Sequence, residues 1–282
     1  MTLYFKSIWR FIQCLISSSI KHNIVVLAAA IAFFGLSAML PLALLLVYGA
    51  SIFIPISSVQ SFLSNVFQSY VPTLPDAKGY IVENLSRLVS LGSKQVGIVG
   101  VIGLLWTTAG GFVSFQQILD MIWETPHRRS FVKQYLVGFG MLAILLSLTV
   151  ITSLSATVSL ALLQGIFTME GNWLVLFHDI SRLSFPLLLL LTCYFCYRFL
   201  PSDTIKHSYL LIGALVATLG IYLSRELFVW YSLHLGQYEM IYGSLTFIML
   251  FTLWVYSVCL IVLFGAEVAV ALRAVREDNV RP

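Results

Sequence analysis

Long apolar runs alternate with short polar breaks along this chain. Six of the runs approach the twenty or so residues that an α-helix needs to cross a bilayer core. They occupy 24–55, 96–115, 135–160, 183–200, 209–231 and 245–271. Pro41 interrupts the first run and deprives the carbonyl of Ser37, one turn earlier, of its helical donor. A flexible point is expected there, of the kind membrane helices tolerate when a neighbour satisfies the freed group. The second run carries Gly103, Thr107 and Gly111 at four-residue spacing, which places them on one helical face and invites close approach by another helix.

Two stretches follow a different pattern. Within 1–23, Ile8, Phe11, Ile12, Leu15 and Ile16 recur at helical spacing around Lys6 and Arg10, the mark of a cationic amphipathic helix at a membrane surface. Between 56 and 95, Val59, Phe62, Leu63, Val66 and Phe67 repeat the pattern, as do Ile81, Leu85 and Leu88 beyond a turn at Pro72–Pro75. Two external amphipathic helices are expected in that segment. The fold class is therefore all-α: one polytopic membrane domain over 1–282, with six transmembrane helices, amphipathic interfacial helices and a short tail at 272–282.

Composition agrees with this reading. Apolar residues make up 59% of 282 positions and charged residues 10%, against about 45–50% and about 25% in soluble domains. Placed on alternating sides of six spans, eleven of the sixteen Lys and Arg residues fall on one side and five on the other. The basic side is expected in the cytoplasm, with both termini. The net charge of +4 is explained by these topology signals, and no nucleic-acid partner is expected. Cys193 and Cys196 form a C-x-x-C spacing inside an apolar run without companion ligands, so they are expected to behave as small hydrophobes.

Candidate chemistry is confined to ionisable residues in or beside the spans, where an unpaired charge is costly. Glu267 lies near the inner end of the last run, Arg225 and Glu226 toward the outer end of the fifth, and Asp120 after Gln116 and Gln117 at the inner end of the second. Each has a structural reading, as a hydrogen-bonded helix-end group, beside a substrate-binding one. No phosphate loop, metal-ligand spacing, nucleophile elbow or dinucleotide fingerprint occurs in the sequence. No catalytic residue, metal or cofactor is expected, and the chain is not expected to be an enzyme.

Several segments together resemble the YihY/BrkB family of bacterial inner-membrane proteins. They are AIAFFGLSAMLPLALLL, QILDMIW from Gln117 to Trp123, Phe199-Leu200-Pro201, and above all Tyr242 to Val268, which opens Tyr-Gly-Ser-Leu and closes Gly-Ala-Glu. This chain has Phe33-Phe34 where that family often carries alanine and tyrosine. The resemblance implies a virulence factor BrkB-like protein of the inner membrane, linked to serum resistance, and a transporter or export factor for an amphiphile such as an envelope lipid. The ribonuclease label once attached to such proteins finds no clustered His and Asp ligands here. On this reading Glu267, Arg225, Glu226, Asp120 and Tyr242 are polar contacts to substrate, and Pro41, Ser37, Gly103, Gly111 and Gly243 are conformational positions. Membrane lipids are the expected partners, together with a homo-oligomer or envelope proteins. The alternative is a non-transporting scaffold that recruits envelope partners through the 57–92 segment.

Overall fold

The computed structural model describes residues 2–51, 98–126, 129–145, 147–148, 173–203, 205–234 and 244–278. Among these every regular element is a helix: α1 (Thr2–Lys21), α2 (Ile24–Ser51), α3 (Ile98–Ile122), α4 (Phe131–Leu145), α5 (Trp173–Phe199), α6 (His207–His234) and α7 (Ser244–Asp278). At 1.5 Å per residue, α2 and α6 are about 42 Å long and α7 about 52 Å, each more than the roughly 30 Å of a hydrocarbon core. By length and apolarity, the described parts of α6 and α7 each qualify as a span. The broken pair Trp9–Lys21 and Ile24–Met39, bent by 56°, passes the same test only when joined, and α4 and the 186–199 part of α5 are shorter apolar helices. The external pair expected over 56–95 and half of the third expected span lie outside the described residues.

Helix boundaries differ from the hydropathy pattern in an informative way. The helix over the second run continues to Ile122, well past 115, because Gln116, Ile118, Leu119, Asp120 and Ile122 are all buried against other helices. The fourth begins at Trp173 rather than 183 and carries Pro186 within it. Hydropathy reports immersion in lipid, whereas the helix ends where its backbone is capped. At the end of α3, Glu124 N–H bonds to Met121 O and Thr125 N–H to Asp120 O. This double closure requires a left-handed residue, and Glu124 supplies it at φ 49°. Asn23, at φ 50°, turns the chain between α1 and α2, and its carbonyl accepts from Val26 and Leu27 to start the second helix.

Packing is tightest where small residues meet. A Cβ at Gly213 of α6 would lie 2.5 Å from the carbonyl oxygen of Gly265 in α7, and one at Gly265 would lie 2.6 Å from that of Gly213. The two backbones are therefore in contact, with Ala217 and Ala269 alongside. The α2–α3 crossing is made at Gly111, where a Cβ would meet that of Ala38 at 3.2 Å. Gly103, expected on the same packed face, has nothing within 4 Å. The main buried cluster gathers Leu119, Ile122 and Trp123 of α3 and its end, Tyr197 and Leu200 around the end of α5, Leu210 of α6, and Leu263 and Ala266 of α7. Cys193 and Cys196 lie within it as free, buried thiols.

Candidate functional site

The end of the bundle that holds this core also holds most of the buried polar chemistry. Glu267 has no exposed surface. Its Oε2 accepts from the hydroxyl of Ser18 at 2.7 Å, and its Oε1 lies 2.7 Å from Nδ1 of His22. The other ring nitrogen of His22 faces Oε1 of Glu124 at 3.5 Å. Lys21 donates to the same Glu124 oxygen. That hydrogen bond, with the charges of Lys21 and His22 against a smaller opposing effect of burial, holds the Glu124 carboxyl below its ordinary value of 4.5. The C-terminal turns of α1 are thus fastened to α7 and to the end of α3.

A second knot joins α3 to the α5–α6 connection. Asp120, 2% exposed, accepts from Ser202 N–H at 2.6 Å and from the Ser202 hydroxyl at 2.7 Å. Arg129 directs its guanidinium at the end of α5, donating to the carbonyls of Leu200 at 2.8 Å, Pro201 at 2.7 Å and Phe199 at 3.3 Å. A cation at a helix C-terminus opposes the negative end of the helix dipole and occupies carbonyls that have no helical donor. Gln134 ties this knot to α4 and α3, donating to Arg129 O at 3.0 Å and accepting from Gln117 at 3.3 Å. Among the buried polar atoms, both amide atoms of Gln116 and the indole nitrogen of Trp123 lack a hydrogen-bond partner.

A different region is open. Between α2, α3 and α4 lies a lateral groove of about 450 Å³, within the range of small-ligand sites. Its lining comprises Phe34, Ser37 and Ala38 of α2, Phe131 and Tyr135 of α4, and the α3 face from Trp106 to Gln117. Trp106 stacks on Tyr135 with ring centroids 4.4 Å apart, and Phe131 packs against both. Among the described residues, no lining residue carries a charge. Thr107 and Ser114 return their hydroxyls to the Gly103 and Gly110 carbonyls of their own helix, at 2.9 and 3.0 Å. The wall is thus aromatic and uncharged, with Ser37, Gln117 and Tyr135 as polar points.

The sequence candidates divide between these regions. Ser37 and Gly111 line the groove, and Pro41 follows one turn beyond Ser37 in α2. Asp120 and Glu267 lie away from it, their carboxylates engaged inside the protein. Arg225 is half-buried and Glu226 exposed, about 27 Å along α6 from His207 and so far from the knotted end. Tyr242 and Gly243 lie outside the described residues. The aromatic trio was not singled out from sequence, since Trp106 sits in one element and Phe131 and Tyr135 in another. Nor was His22, whose partners are 102 and 245 positions away.

With the geometry in place, relatedness decides the family. The profile of the family described as Virulence factor BrkB matches residues 15–282. The chain belongs to that family. A UPF0761 membrane protein of Actinobacillus pleuropneumoniae serotype 5b is 27% identical over 278 residues, covering 95% of each chain. One from Yersinia pseudotuberculosis serotype IB is 29% identical over 215 residues, covering 76% of this chain and 70% of its own. No solved structure matches. Membership in the BrkB family agrees with the resemblance of the Tyr242–Val268 segment and makes this a membrane protein. The groove and the two knots all lie within the matched span.

Proposed function

We propose that this BrkB-family protein is a non-enzymatic transporter or export factor of the bacterial cytoplasmic membrane, with both termini in the cytoplasm, acting on an amphiphilic substrate such as an envelope lipid. The observation that carries the reading is the lateral groove. A transporter of an amphiphile needs an uncharged wall for the apolar part and a few polar points for the remainder, and the lining from Phe34 to Tyr135 has both. The α2 wall includes the turn before Pro41, where a missing helical bond lowers the cost of bending. Glu267 and Asp120 act, on this view, as the fixed frame against which that wall moves.

The test is transbilayer movement of a headgroup-labelled fluorescent phosphatidylethanolamine in proteoliposomes of phosphatidylethanolamine and phosphatidylglycerol. Wild-type protein is expected to expose inner-leaflet label to an impermeant quencher, and Ser114→Phe, which fills the groove, to return the rate to that of protein-free vesicles. Wild-type vesicles indistinguishable from protein-free ones, or full movement in well-folded Ser114→Phe protein, would overturn the reading.

A further inference from the structure

His22 stands between two carboxylates, Glu267 and Glu124. Nδ1 lies 2.7 Å from Glu267 Oε1, a distance that requires a proton between them. In the tautomer that carries this proton on Nδ1, neutral His22 presents a lone pair at Nε2. That lone pair points at Glu124 Oε1, 3.5 Å away. A lone pair facing a carboxylate is repulsive, whereas a second proton on Nε2 makes the imidazolium a donor toward both acids. The His22 side chain is 10% exposed, Glu267 fully buried and Glu124 58% exposed, so water reaches the site from the Glu124 side.

We infer that His22 Nε2, between Glu267 of α7 and Glu124 at the end of α3, is a proton site that latches α1 to the bundle. The charged and titratable groups around it come from three elements. Glu267 accepts at Nδ1, Glu124 faces Nε2, Lys21 neutralises part of the Glu124 charge, and the Ser18 hydroxyl completes the Glu267 carboxylate. When the proton leaves Nε2 for water, the Glu267 bond persists without the imidazolium charge and the attraction to Glu124 becomes repulsion. The left-handed turn at Glu124 then loses one of the two cations that hold it. Because α1 continues through Asn23 into α2, which forms one wall of the groove, the latch links local pH to the helix that the proposed transport requires to move. The inference concerns the seating of α1 and does not need a substrate.

The sign is fixed by the site that gains the proton. Binding at Nε2 strengthens the seated state, so seating is strongest in mild acid and weakens as pH rises. Glu124 remains a carboxylate across this window, since its carboxyl is held below 4.5.

Hydrogen exchange of residues 9–21, corrected for the intrinsic pH dependence of exchange, reads the latch in full-length protein in nanodiscs. Protection is expected to fall roughly two- to fivefold between about pH 5.5 and about pH 8.5, the worth of one modest ion pair. His22→Gln should abolish that slope, and Glu124→Gln should reduce it, because the charged imidazole keeps its bond to Glu267. The second replaces an exposed side chain and leaves the contact to Glu267 in place, so it decides the matter even if the first fails to fold. Wild-type protection that is flat with pH, or a wild-type slope retained in Glu124→Gln, would overturn the assignment. Neither result would bear on lipid movement by the groove.

Discussion

Glu267 shows how a single buried side chain is read correctly in kind and incompletely in context. Its position in an apolar helix marks it as a group that must be hydrogen-bonded, and both of its oxygens are indeed engaged, by Ser18 and His22. The identity of those partners was not legible, because Ser18 lies 249 positions away in an amphipathic helix whose docking site hydropathy does not encode. Removing the carboxylate takes the acceptor from two part-buried groups, Ser18 and His22. Glu267→Ala is expected to cost about 3 kcal/mol, and Glu267→Gln, which keeps one acceptor, about half of that. Denaturation of detergent-solubilised protein followed through tryptophan fluorescence measures both. Equal stability of Glu267→Ala and wild type would mean that the Ser18 and His22 contacts contribute nothing to folding.

Between elements, the same small residue has opposite meanings at two places. Spacing alone recommended the glycine face of α3, and one of its two glycines does sit in a crossing, Gly111 against Ala38. The tighter crossing joins Gly213 to Gly265, one glycine on each of two helices, a pairing that no spacing within one helix can reveal. At Gly265 a new Cβ would lie 2.7 Å from the Tyr197 hydroxyl and 2.8 Å from the Ala217 Cβ, besides the Gly213 carbonyl. Two backbones and a buried tyrosine would have to separate. Gly265→Ala is therefore expected to destabilise by about 1–3 kcal/mol, the range for overpacking. Gly103→Ala meets open space and should be neutral or stabilising by up to about 1 kcal/mol through helix propensity. Thermal midpoints of the two variants under one set of detergent conditions test the contrast, and equal shifts would refute it.

Across the whole molecule, the structure gathers helix ends that are distant in sequence. The end of α1 meets the end of α3 through Lys21 and Glu124, the end of α3 meets the start of the α5–α6 connection through Asp120 and Ser202, and Arg129 before α4 caps the end of α5. The all-helical, apolar character of the chain was legible from hydropathy. The polar knots that close the bundle were not, since each is made by residues that look unremarkable in their own segment. Lys21, Arg129, Lys133, Arg198, Lys206 and Arg276 all lie at or near these ends. On the orientation proposed above, a positive-inside bias would put this gathered end in the cytoplasm. A cysteine at the exposed Lys206, placed in a background whose half-buried Cys14 and Cys259 are replaced, is expected to resist an impermeant maleimide in intact spheroplasts and to react once they are permeabilised. Because Lys206 lies in the α5–α6 connection, which Asp120 ties to the end of α3 and Glu124 there ties to Lys21 of α1, labelling it from outside would invert α1, α3 and the α5–α6 connection together. It would also place the His22 site on the opposite face of the membrane.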